Sequence, residues 1–582
     1  MFKLMKNFEK KDYLLIILVI FLIIAQVWLD LKMPDYMSEI TMLVKTEGSK
    51  MSDILYNGGL MLLCSFGSLI STIISGYFLA LLASGFSSKL REKIFYKVEN
   101  LSIDKIKQFE TSSLITRTTN DISQVEMLIS MGLQLLIKAP ITAIWAICKI
   151  VNKSFSWTLA TSICVLIMLS VVTILTIIVI PKFKVVQKLI DKLNKIAREN
   201  ITGIRVIRAF NAEKYTKDKY EDVNDKLTKQ QLFNQKAFAI MSPMMYLIMN
   251  MLALVIYIIG SNLILNAGLA DKITLFGDMI VFSSYSMQII MSFLMLAMIF
   301  TILPRSEVSA NRINEVLCSE SSIIDGDFDG NTDTKGTVEF CNVSFKYPDA
   351  KEYILENISF KAEKGETVAF IGSTGSGKST LINLVPRFYD ATSGEVLIDG
   401  IDVKKYKLEK LYDKLGYVSQ KAVIFNGSIN YNVEFGSNGK NKNVKKAIEI
   451  AQAKDFVENM DDKYESNLAQ GGTNISGGQK QRISIARAIA REPEIYIFDD
   501  SFSALDYKTD LNLRKAIKKN IKDATCLIVA QRIGTIMHAD KIIVLDKGKC
   551  VGMGTHKELL DNCEVYKEIA LSQISKEELD HA

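Results

Sequence analysis

Histidine and cysteine are sparse, three and eight in 582 residues, and neither type gathers into a cluster. Cys64, Cys148, Cys164, Cys318, Cys341, Cys526, Cys550 and Cys563 form no C-x-x-C pair and no Cys/His ligand grouping. That spacing excludes a zinc site and a disulfide framework, and leaves scattered reduced thiols. No cleavable signal peptide is evident either. The Lys-flanked apolar run from Tyr13 is too long for an h-region and has no small-residue cleavage site. Positive charge exceeds negative by only six, and the lysines cluster in loops between apolar stretches, which argues against nucleic acid as a partner.

Apolar sequence is what the chain has in abundance: 49% of residues are hydrophobic, with a mean hydropathy of +0.18. A membrane span needs about 20 apolar residues. Six stretches meet that requirement, near 13–33, 54–84, 127–150, 157–181, 237–265 and 277–303. The lipid bilayer is therefore an expected partner. The N-terminal lead (Lys3, Lys6, Lys10, Lys11) and the loops after the second and fourth spans are basic. The positive-inside rule then places the N-terminus, both long loops and everything after Arg305 in the cytoplasm. Lys89–Leu101 and Val186–Lys236 carry apolar residues at helical spacing among charges, which predicts that the spans continue as helices into the cytosol. Domain boundaries follow: a membrane domain over 1–318, an acidic, Gly-containing linker over 319–336, and an α/β domain over 337–582 in which short apolar strands alternate with helices.

Three motifs in the last domain carry chemistry. Gly372, Ser373, Thr374, Gly375, Ser376, Gly377, Lys378, Ser379 and Thr380 fit G-x4-G-K-[ST], after the apolar strand Thr367–Ile371 and before a helix. Such a loop turns backbone N–H groups around phosphate oxygens; Lys378 reaches the β- and γ-phosphates and Ser379 binds Mg²⁺. ATP and Mg²⁺ are the expected cofactors. Ile495–Asp499 is an apolar strand ending in a carboxylate that can join the Mg²⁺ shell. Ser476, Gly477, Gly478 and Gln479 open a helix and supply a second anion-binding N-terminus.

The run Ile475–Arg482 resembles the signature sequence of ATP-binding cassette (ABC) ATPases, with Ile475 in place of the usual Leu. Other residues fall into the same order. Tyr347 is similar to the aromatic that stacks on adenine, Gln420 to the glutamine that senses Mg²⁺, and Ser503–Asp506 to the loop that touches the opposite cassette. Gly203–Phe210 resembles a coupling region, and Asn311–Leu317 the lead into the cassette of ABC exporters. The resemblance implies an α-helical six-span ABC exporter transmembrane domain with long cytosolic helix extensions, fused to an α/β P-loop ABC ATPase domain. It also implies work as a dimer, in which the signature of one cassette caps ATP held by the other.

Two positions depart from that pattern. Asp500 stands where the family places the water-polarising Glu, and Gln531 where it places a His. Losing a methylene withdraws the carboxylate, and Gln cannot act as an imidazole. The expectation is a degenerate site (Asp499, Asp500, Gln531) beside an intact signature (Ser476, Gly477, Gly478, Gln479). The pair would be completed by a second half-transporter subunit, and would export amphipathic drugs, lipids or peptides across the plasma membrane. A homodimer with weak ATPase activity and a nucleotide-gated regulatory or channel-like protein are the alternatives. Met residues of the fifth and sixth spans are open to two readings, ligand contact or lipid contact. Asp30 and Lys138, charges in or beside apolar spans, face either a cavity or an interface.

Overall fold

The computed structural model describes residues 4, 6, 8–46, 48–151, 154–348, 350–436 and 443–573. It divides into two compact units, Met1–Glu99 with Ser112–Ser319, and Asn100–Thr111 with Glu320–Ala582.

The first unit is built on long helices: α1 (Lys10–Lys45), α2 (Met51–Glu99), α3 (Leu133–Val151), α4 (Phe155–Thr202), α5 (Glu213–Asn266) and α6 (Leu269–Leu317). Among the described residues, six helical segments are long and apolar enough to cross a membrane. α2, α4 and α5 have 49, 48 and 54 residues. At 1.5 Å per residue each exceeds 70 Å, about twice a hydrocarbon core, so these helices run far past the span as the loop periodicity predicts. The apolar runs fill one end of each of these three helices: the N-terminal part of α2 and α4 and the C-terminal part of α5. Between α4 and α5 the chain turns through a short helix, Ile204–Ala209, within the stretch read as a coupling region. α3 is preceded by short helices and one π-helical turn, Leu128–Gly132.

In the second unit, β1 (Val338–Phe345), β2 (Leu355–Ala362), β3 (Thr367–Gly372), β4 (Ser393–Ile398), β5 (Ile401–Asp402) and β6 (Leu415–Val418) come first. β7 (Gly427–Ser428), β8 (Asn467–Leu468), β9 (Ile495–Asp499), β10 (Thr525–Val529), β11 (Lys541–Asp546) and β12 (Lys549–Gly554) follow. The main sheet has the order β12-β11-β3-β10-β9-β6 and is parallel from β11 to β6. β9 and β10 are buried at every position, which is why they read as unbroken apolar runs. An antiparallel sheet, β2-β1-β4-β5, packs its apolar face into the core that the main sheet shares.

Two segments make contacts that composition alone does not show. Asn100–Thr111 lies inside the stretch assigned to the membrane domain but groups with the second unit. Its helix Ile103–Phe109 has seven residues, too few to be stable alone. Ile103 packs into the cassette core, and Lys107 Nζ donates to Tyr389 Oη at 2.9 Å. The acidic stretch before β1 is pinned down as well. Phe328 bridges to Tyr406, the Gly326 amide donates to Tyr406 O, and Asp325 accepts from the Leu408 amide. A Cβ on Gly326 would stand 2.1 Å from Lys405 O, so only glycine permits that approach.

Candidate nucleotide site

The parallel register places the motif residues together. The phosphate-loop candidate follows β3, Gln420 lies two residues past β6, Asp499 ends β9, and Gln531 lies two residues past β10. Val529 pairs with Asp499 and with Phe370, and Val418 with Phe498. Four adjacent strands thus deliver their carboxyl ends to one edge, where open α/β sheets bind ligands.

Gly372 sits so close to β11 that a Cβ would meet Leu545 O at 2.0 Å, and Gly377 has φ +95° with the Leu355 side chain 2.8 Å from a Cβ. No other residue type fits either position without displacing its neighbours. Ser373, Thr374 and Gly375 are exposed at the loop's crest, while Ser376 and Lys378 are buried. Lys378 Nζ donates to Gly372 O at 2.8 Å and Ser373 O at 2.7 Å. Burial pushes the lysine below its ordinary pKa, against the attraction of Asp500 and Asp499. Ser379 Oγ donates to Asp499 Oδ1 at 2.8 Å. The hydroxyls of Tyr347 and Thr380 lie 3.1 Å apart, with Tyr347 edge-on to Phe345 and Tyr389.

Asp500 has φ +47°, a left-handed conformation uncommon for a non-glycine residue. Its amide donates to Val529 O at 3.0 Å and its carbonyl accepts from Ser503 Oγ at 2.8 Å. One carboxylate oxygen, Oδ2, accepts from both Gln531 Nε2 at 2.9 Å and Gln420 Nε2 at 3.2 Å. The two positions that depart from the family pattern are therefore in direct contact. Sequence reading did not find Ser503's hold on Asp500, and no spacing rule signals it.

Ser476 and Gln479 form a capping box on the helix Gly477–Ala490. The Gln479 amide donates to Ser476 Oγ at 3.3 Å, and the Ser476 amide to Gln479 Oε1 at 2.8 Å. This group shares no hydrogen-bonding residue with the phosphate loop. A Cβ on Gly478 would lie 3.2 Å from Ala504 O, whereas one on Gly477 would meet nothing within 4 Å.

The donor set fits Mg²⁺–ATP. Ser379 Oγ and Asp499 Oδ1 are hard oxygen ligands already within hydrogen-bonding distance of each other, and Gln420's contact through nitrogen leaves Oε1 for the ion. Bound there, the ion would neutralise phosphate charge.

Burial raises the carboxyl pKa of both aspartates. Ser379 opposes the rise at Asp499, and Gln420, Ser503, Lys378 and Gln531 oppose it at Asp500. An acid with a raised folded-state pKa leaves the folded form holding more protons than the unfolded form. Stability then falls as pH rises from about 4, the unfolded carboxylate value, through the folded value. Asp499→Asn is expected to raise the apparent melting temperature of the nucleotide-free protein at pH 7 to 8, with the gain closing toward pH 4. Thermal scans across that range, without Mg²⁺, measure it.

Residues 16–293 match the family model described as ABC transporter transmembrane region, and residues 355–503 the model described as ABC transporter. An uncharacterized ABC transporter ATP-binding protein of Mycobacterium tuberculosis is 37% identical over 526 residues, covering 88% of this chain and 87% of that protein. The ATP-dependent lipid A-core flippase of Pseudomonas aeruginosa is 29% identical over 497 residues, covering 84% and 80%. The solved structure of a bacterial Atm1-family ABC exporter with ATP bound superposes with a TM-score of 0.82 at 22% identity, covering 97% of this chain and 100% of that one. The likeness in fold and the two matched regions agree with the site geometry: the chain belongs to the ABC transporter family, as an exporter half-transporter whose membrane domain and ATPase domain share one polypeptide.

Proposed function

We propose that this chain is the slow-site subunit of a two-chain ABC exporter, moving amphipathic compounds outward across the plasma membrane. The observation that carries this reading is the double amide hold on Asp500 Oδ2 by Gln420 and Gln531. A water-activating carboxylate needs a free oxygen at the right reach; Asp500 is a methylene shorter than Glu, and its Oδ2 already serves as an acceptor for two side chains. Gln531 offers an amide where a titratable imidazole would contact the γ-phosphate. In this proposal Lys378 and the loop amides grip the triphosphate, Ser379 and Asp499 hold the Mg²⁺, and hydrolysis at this site is slow.

Ser476–Gln479 have the opposite character. Gly477 has no neighbour within its own chain that demands a glycine, so its small size serves a group from outside. The reading assigns that group to the phosphates of ATP on the second subunit, whose site this chain's signature completes. Export of lipids accords with the lipid A-core flippase among the relatives.

Purifying the chain alone and together with its partner half-transporter tests the proposal. Expected is ATPase activity at least about tenfold higher in the pair, in line with the loss from a misplaced catalytic group. Vigorous hydrolysis by the lone chain would favour the homodimer and sink the proposal.

A further inference from the structure

Intramembrane charges are costly and face the bundle interior or an aqueous cavity when they persist. On α1, Leu14, Ile17, Phe21, Ile24 and Trp28 recur at three- and four-residue spacing and are all exposed, marking one outward stripe. At 100° per residue Gln26 and Asp30 lie on the opposite side of that helix. On α3 the exposed stripe is Leu136, Ile144, Ile147 and Val151, and Lys138 and Lys149 lie opposite it. Asp30 and Lys138 thus turn inward, yet their side chains keep 25% and 21% exposure.

Two ion pairs join α1 to α3, and they differ in how fully they are satisfied. Lys149 Nζ lies 2.8 Å from Asp35 Oδ2, and Tyr285 Oη on α6 donates to Asp35 Oδ1 at 2.6 Å. That pair is tight and acts as a clasp. Lys138 Nζ stands 3.5 Å from Asp30 Oδ2, while Ser68 Oγ on α2 donates to Asp30 Oδ1. An ammonium has three donors, and among the described residues that of Lys138 has this one long contact. One turn below Asp30, Gln26 is 4% exposed and its buried Oε1 has no partner among the described residues. Spare donors on Lys138 and a spare acceptor on Gln26 flank the carboxylate.

We infer that Gln26, Asp30, Ser68 and Lys138 form a recognition site for the head group of a zwitterionic amphiphile. Its anionic group takes the spare donors of Lys138, and its ammonium takes Asp30 and the carbonyl oxygen of Gln26. A purely cationic ligand would occupy Asp30 and strand Lys138. A purely anionic ligand would do the reverse. Either leaves a partly buried charge uncompensated. A zwitterion exchanges both partners at once. This deepens the export reading by naming a substrate class, but recognition itself does not depend on transport.

The test is equilibrium binding to the full chain in detergent, using three fluorescent amphiphiles of one chain length: lysophosphatidylethanolamine, lysophosphatidic acid and an alkylamine. The zwitterion should bind about tenfold or more tighter than the others, a tenfold change being 1.4 kcal/mol. Lys138→Gln should turn the preference toward the alkylamine and Asp30→Asn toward the anion. The exchange Asp30→Lys with Lys138→Asp should restore the preference for the zwitterion. Gln26→Leu, which replaces a buried unpaired amide by an apolar side chain, should keep or raise the melting temperature while weakening both ammonium ligands severalfold. Equal binding of all three probes, or equal weakening of all three in every variant, would overturn the inference. Selective binding without ATP-driven movement in vesicles would count against the export reading and leave the site standing.

Discussion

Replacing Asp500 with Glu and Gln531 with His in the same chain is expected to raise hydrolysis at this chain's own nucleotide site by about 10- to 100-fold, the scale that a roughly 1 Å misplacement of a catalytic group costs. The expectation rests on the contacts of Asp500. Its Oδ2 accepts from Gln531 Nε2 at 2.9 Å and from Gln420 Nε2 at 3.2 Å. Restoring the methylene alone lengthens the reach, but a Glu would still meet the Gln531 amide. Asp500→Glu by itself should therefore recover only part of the gain, and the double replacement should exceed the sum of the single ones, as contacting residues do. Single-turnover hydrolysis in the assembled complex, with the partner's catalytic carboxylate removed, isolates this site. On the proposed reading, Asp500→Asn should leave steady-state turnover of the complex within about twofold, because a site about 100-fold slower would contribute little to the total. A double variant as slow as the parent would show that something else limits this site's chemistry, and a large loss in Asp500→Asn would show that the site is not slow.

The contact between Asp500 and Gln531 also marks where sequence reading stops. Each residue stood out alone because it departs from the pattern that the family resemblance implies. What joins residues 31 positions apart is the parallel register that sets Val529 beside Asp499. Register is a property of the sheet, and local sequence does not encode it. The same holds for Asp30 and Lys138. Both were visible as charges among apolar residues, but their pairing across 108 positions needs α1 and α3 to pack.

Helices were legible where burial in lipid makes the sequence uniform, and less so where they leave it. Apolar runs located the spans, while the mixed sequence of the extensions showed only helical periodicity. Ile103–Phe109 escaped because seven residues hold less than two helical turns, and its allegiance to the cassette rests on Ile103 and Lys107 meeting residues almost 300 positions away. The acidic stretch before β1 escaped for the opposite reason. Its Asp and Gly residues look like solvated linker, yet Asp325 caps an amide and Gly326 admits a carbonyl that any side chain would repel. Polar composition shows that a segment does not build a core; it does not show that the segment is free.

Gly477→Ala is expected to separate the signature's role in folding from its role in hydrolysis. Gly477 is the first residue of the helix Gly477–Ala490, and a Cβ there meets nothing within 4 Å. Alanine is up to about 1 kcal/mol better than glycine in a helix, so the variant should melt at the same temperature or slightly higher. Ser476→Ala differs, because it removes the cap that accepts from the Gln479 amide and costs about 0.5–2 kcal/mol. If Gly477 is small in order to admit phosphate oxygens from another chain's nucleotide, one added methyl pushes that anion off the helix N-terminus. Loss of a positioned donor of this kind lowers hydrolysis by about 100- to 1,000-fold. The assembled complex should then bind ATP at this chain's phosphate loop as before and hydrolyse almost none at the partner's. Unimpaired hydrolysis in a well-folded Gly477→Ala complex would mean that this loop approaches no nucleotide, and the division of labour between the two chains would fall with it.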